Sequence, residues 1–91
     1  MTRNAKPTAA GRLTRATSAL AALLREREIS YLTAAAEIAK VAAKRKIRGG
    51  TIGHAQLGNI ARGDSTPSPQ VARAIEAWSG GRIKAAELLG L

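Results

Sequence analysis

The sequence predicts an all-α fold, a compact bundle of about five short helices behind a flexible basic N-terminal arm. Three observations predict it. Ala, Leu and Ile recur throughout, while Phe is absent and Tyr31 and Trp78 are the only aromatics. Sheets draw on β-branched and aromatic residues, so this composition favours helices. Apolar residues also return at spacings of three and four in several separate segments. Gly, Pro and Ser clusters divide those segments from one another. With 91 residues the chain makes one small domain, and it contains no Cys. Its core therefore forms without disulfides or thiolate-bound metal, burying only about 60–65 % of the unfolded surface.

The elements follow in order. Residues 1–11 contain Arg3 and Lys6, with Pro7 and Gly11 as breakers and little apolar content, and read as the arm. The domain proper is expected over residues 12–91. Leu13, Ala16, Leu20, Leu23 and Leu24 form the stripe of a first helix ending near Glu28. Ile29–Leu32 reads as a connection, and Thr33 as the cap of a second helix running to about Lys46. Ala34, Ile38, Val41 and Ala42 are its expected buried side. After the break at Arg48-Gly49-Gly50, a third helix starts at Thr51 or Gly53 and reaches Arg62, with Leu57 and Ile60 inward. Ser68-Pro69 reads as a cap with proline at the first helical position. The fourth helix, Pro69–Trp78, buries Val71, Ala74, Ile75 and Trp78. A last helix is expected over Arg82–Leu89, with Ile83, Ala86, Leu88 and Leu89 apolar.

Charge narrows the function. Fifteen Lys and Arg face six Asp and Glu, a formal net charge of +9. Residues 1–48 hold 11 basic and 3 acidic side chains, and residues 49–91 hold 4 and 3. Such a positive field attracts polyanions, whether nucleic acid or an anionic membrane surface. The longest apolar run, Ala19–Leu24, is far short of the ~20 residues that cross a bilayer. One His, no Cys and six dispersed acids offer no catalytic spacing, so no enzyme is expected. Neither a metal nor a cofactor is expected, since His54 alone builds no site and Gly49–Gly53 lacks the Gly-Lys-Ser/Thr ending of a phosphate loop.

The sharpest signal is the segment Thr51-Ile-Gly-His-Ala-Gln-Leu-Gly-Asn-Ile-Ala-Arg-Gly63, followed by Asp-Ser-Thr-Pro-Ser68. It resembles the lambda-repressor-like (Cro/Xre-type) helix-turn-helix family. There a recognition helix ends in a basic residue and glycine, and a polar turn, a Pro-Ser-type cap and another core helix follow. Arg62-Gly63, Pro67-Ser68 and Val71–Trp78 match that order, and the resemblance covers roughly residues 30–90. The interval Lys46–Gly50 is longer than the family's usual tight turn, and Gly53 and Gly58 lie in or beside the recognition helix.

The physics of the segment agrees. With Leu57 and Ile60 inward, His54, Ala55, Gln56 and Asn59 project from the opposite side of the third helix. Gln and Asn make bidentate hydrogen bonds to adenine, and His donates to guanine or phosphate. These four are the expected base readers of helix 53–62 in the major groove. Lys44, Arg45, Lys46, Arg48, Thr51, Arg62, Ser65 and Thr66 are the expected phosphate contacts, and Arg3, Lys6, Arg12 and Arg15 the expected arm contacts.

The function expected is thus a sequence-specific duplex-DNA-binding transcriptional regulator, repressor- or activator-type, in the cytoplasm at the nucleoid. A homodimer is expected, with Leu88, Leu89 and Leu91 as candidate interface. RNA polymerase or a toxin are the protein partners considered. Two alternatives stand beside this reading. One is an antitoxin-type DNA-binding protein that also binds a toxin. The other is a basic helical protein whose Leu13–Arg27 stripe lies on a membrane or a partner.

Overall fold

The computed structural model describes residues 9–90, with side chains from Ala16 onward. The arm contacts expected of Arg3 and Lys6, and the interface role expected of Leu91, lie outside the described residues, as do the side chains of Arg12 and Arg15. Five helices and no strand make up the described chain: α1 (Ala9–Arg27), α2 (Tyr31–Lys44), α3 (His54–Ala61), α4 (Pro69–Trp78) and α5 (Ala85–Leu88). α2 packs on both α3 and α4, while α1 packs on α5 and α3, and α4 also meets α5.

α1 begins at Ala9 and carries its helical backbone through Gly11, upstream of the start at residue 12 read from periodicity. Its apolar stripe, Ala16, Leu20, Leu23 and Leu24, is buried in the core. α2 starts earlier than expected because Ser30, not Thr33, is its cap. The Ser30 hydroxyl oxygen accepts from the Thr33 backbone N–H at 3.2 Å. Tyr31 and Leu32, expected in the connection, therefore form its first turn. α2 stops at Lys44, since Lys46 takes a left-handed backbone (φ 58°) and turns the chain.

Gly53, with an extended backbone, is the N-cap of α3 and settles its start at His54. α4 spans the expected residues, and the Ser68 hydroxyl accepts from the Val71 N–H at 3.2 Å. The last helix is shorter than expected. The buried Ser79 hydroxyl donates to the Glu76 carbonyl and accepts from the Ile83 N–H, which holds residues 79–83 in a non-helical turn. A Glu76 carboxylate oxygen then accepts from the Ala85 N–H at 2.8 Å, where α5 begins. This shift in phase exposes Ala86, expected to be apolar-facing, while Ile83 and Leu88 are buried.

The core joins all five helices through Leu20, Leu23, Ile38, Leu57, Ile60, Ile75, Ile83 and Leu88. Trp78 belongs to it. Its indole N–H donates to Glu37 on α2 at 2.9 Å, and the Arg27 guanidinium sits 4.9 Å from the ring centroid. One aromatic side chain thus ties α4 to α2 and α1, combining apolar burial with a satisfied polar edge.

Candidate nucleic-acid interface

α3 presents two unlike sides. Leu57, Gly58 and Ile60 are buried against the rest of the bundle. Ala55 and Gln56 are exposed on the other side with half-buried Asn59 beside them, whereas His54, also exposed, stands at the helix start in line with Leu57 and Gly58. Leu57 and Ile60 set this orientation, because turning the helix would bring two large apolar side chains into water at about 1.5–3 kcal/mol each. Three of the expected base readers, Ala55, Gln56 and Asn59, therefore lie on the outer side of one short helix, and His54, expected with them, stands instead at its first turn over the inner side.

The chain around α3 adds polar groups to that side. A cleft of about 280 Å³ is lined by Thr51 and Ile52 before α3, Gln56 on it, and Ser65, Thr66 and Ser68 after it. Three of the expected phosphate contacts, Thr51, Ser65 and Thr66, are thereby brought to one concavity with Gln56. The segment connecting α2 to α3 is anchored rather than loose. Gly50 is buried, Ile47 and Ile52 pack on the core, and the Ile47 N–H donates to the Ala42 carbonyl at 2.8 Å. It also lies along α4, since a Cβ on Gly49 would stand 3.8 Å from Gln70.

Lys44, Arg45, Lys46 and Arg48 are all exposed, and among the described residues none of them is in an ion pair. Arg45 lines a second cleft with Ile47, Arg73, Glu76 and Ala77. Arg73 was not singled out from sequence, although its position opposite Val71, Ala74 and Ile75 on α4 already marked it as outward. Arg62 differs from the others. It donates to Asn59 and pairs with Asp64 at 3.4 Å, so it is already engaged within the chain.

Two expectations are placed differently by the fold. Leu88, expected at a dimer interface, is fully buried within one chain where α5 meets α1, and has no surface left for a partner; Leu89 is half-buried on the same core. The described part of the α1 stripe, expected in one alternative to lie on a membrane, faces that core too. Among the described helices none is long and apolar enough to cross a membrane. Comparison with protein-family models, with curated proteins and with solved structures finds no match to this chain.

Proposed function

We propose that this chain reads duplex DNA as a transcriptional regulator of the Cro/Xre helix-turn-helix kind, with α2 and α3 as the paired helices and α3 in the major groove. The observation that carries the reading is the division of α3. Its inner side is locked into the core, its outer side holds Ala55, Gln56 and Asn59 next to a hydroxyl-lined cleft, and His54 is exposed at its N-terminus. A major groove admits one α-helix, and side chains near its N-terminus reach the base edges. The hydroxyls of Thr51, Ser65 and Thr66 flank that helix, as donors to phosphate oxygens must. Four exposed cations at the end of α2 and in the α2–α3 connection, in no ion pair among the described residues, supply the sequence-independent attraction in a chain of net charge +9.

The test is selection of bound duplexes from a random pool, repeated with Gln56→Ala. A recurrent motif is expected, and Gln56→Ala is expected to lose discrimination at one base pair by roughly 1–3 kcal/mol. A motif with two-fold symmetry would report two copies on the DNA. Should Gln56→Ala select the same motif with the same stringency, α3 is not the reading element.

A further inference from the structure

Asn59 and Arg62 are not two independent readers. The Arg62 Nη2 donates to the Asn59 Oδ1, and the Arg62 Nε donates to Asp64 Oδ2 at 3.4 Å. The Asp64 backbone N–H in turn donates to the Asn59 carbonyl at 2.8 Å. The three residues therefore close a ring over the end of α3. Gly58 makes room for it, because a Cβ there would stand 3.3 Å from the Arg62 Nη1.

This ring decides which end of the Asn59 amide faces outward. A guanidinium has five N–H donors and no acceptor, so the amide atom that meets it is the oxygen. The Asn59 nitrogen is then the end left to meet a ligand. Asparagine recognises adenine by donating to N7 and accepting from the N6 amino group, which requires both ends of the amide. Here one lone pair of that oxygen is taken by Arg62, and an incoming amino group would reach the other only against the guanidinium cation beside it. Guanine instead offers two adjacent acceptors, O6 and N7, which suit a row of N–H donors.

We propose that Asn59 reads guanine rather than adenine, with Arg62 and Asp64 as the positioning pair that imposes this choice. The inference rests on the placement of α3 in the major groove proposed above. It is tested by duplex selection with the wild type, Asn59→Ala and Arg62→Met, with circular dichroism confirming that each variant is folded. The wild type is expected to select one G·C pair that Asn59→Ala leaves unspecified, a loss of about tenfold in discrimination. Arg62→Met, which frees the amide oxygen, is expected to convert that pair to A·T while other positions stay fixed. Independently of any fold effect in Arg62→Met, 7-deazaguanine at that pair is expected to weaken the wild type about tenfold and Asn59→Ala hardly at all.

An Asn59-dependent pair that is not guanine in the wild type overturns the proposal. So does a 7-deazaguanine duplex bound as tightly as the normal one, or a guanine preference unchanged in folded Arg62→Met. Motif selection with no position depending on Asn59 overturns it while leaving DNA reading intact. A wild type that binds no duplex fails earlier, and refutes the placement of α3 itself.

Discussion

Gly50 and Gly58 carry no side chain for opposite reasons, and their alanine variants are expected to move stability in opposite directions. At Gly58, inside α3, the nearest side-chain atoms to an added Cβ are the Arg62 Nη1 at 3.3 Å and the Tyr31 ring at 3.7 Å. The first is the tip of an exposed, flexible side chain and can yield. An interior glycine costs about 1 kcal/mol relative to alanine, so Gly58→Ala is expected to stabilise by up to that amount, raising Tm by about 4–8 °C. At Gly50 the added Cβ would stand 3.0 Å from the Ala42 Cβ and 3.1 Å from the Ile47 backbone oxygen. Neither can move without shifting core or backbone, so Gly50→Ala is expected to destabilise by about 1–3 kcal/mol. Thermal melts of the two variants decide both signs. Acid titration reports a third residue. The Arg82 guanidinium grips both Glu26 oxygens, at 3.0 and 3.1 Å, and its hydrogen bonds and charge hold that carboxyl below the usual range. A lowered folded-state pKa adds stability above the ordinary value and loses it as pH falls through the folded one. The Tm advantage of wild type over Glu26→Gln is therefore expected to be small, to be full at neutral pH, and to decline once acid takes the solution below the ordinary carboxylate range.

The described helices end in the same way, and the ending explains much of what sequence did and did not show at this scale. After each a residue in the left-handed region reverses the chain: Glu28, Lys46, Gly63, Gly80 and Gly90. After the first four the next N–H then bonds back five residues, from Ile29 to Leu24, Ile47 to Ala42, Asp64 to Asn59 and Gly81 to Glu76. Gly63 and Gly80 announce this ending by their type, and the helices before them stop where sequence placed them. Lys46 does not announce it, which is why α2 was expected to run two residues too far. Ser30 and Thr33 are both good caps, and only the tertiary position of Tyr31 against the core separates them. Side-chain bonds from Ser79 and Glu76 cut α5 short, and no periodicity encodes those. The left-handed region costs a non-glycine residue roughly 1–2 kcal/mol. Glu28→Gly is therefore expected to raise stability by about 0.5–1 kcal/mol after the greater freedom of glycine in the unfolded chain is offset. Glu28→Ala, which removes the same carboxylate and keeps the Cβ, is expected to give no such gain. Equal denaturation midpoints for the two variants would assign the effect to charge instead.

At the scale of the whole molecule, the sequence showed which side of α3 faces out, because Leu57 and Ile60 alone determine it. The meeting of Gln56 with Thr51, Ser65 and Thr66 depends on how the chain before and after α3 folds back, which no local pattern contains. The engagement of Arg62 with Asp64 was equally hidden. Charge is the property that carries through every scale, and it makes the last prediction quantitative. Each phosphate neutralised releases condensed counterions, and log affinity falls with log salt at about −0.9 per contact. Lys44, Arg45, Lys46 and Arg48 are exposed and unpaired among the described residues, whereas Arg62 is held by Asn59 and Asp64. Four such contacts give a slope of about −3.6, or a loss of about 150-fold between 50 and 200 mM salt. Arg45→Ala is expected to reduce the slope by about 0.9 while leaving the selected motif unchanged, since a phosphate contact carries no sequence information. A slope near zero in the wild type would mean that the cations of the α2–α3 connection serve something other than a nucleic-acid backbone. A slope of about −3.6 that Arg45→Ala leaves intact would move the phosphate track away from the α2–α3 connection.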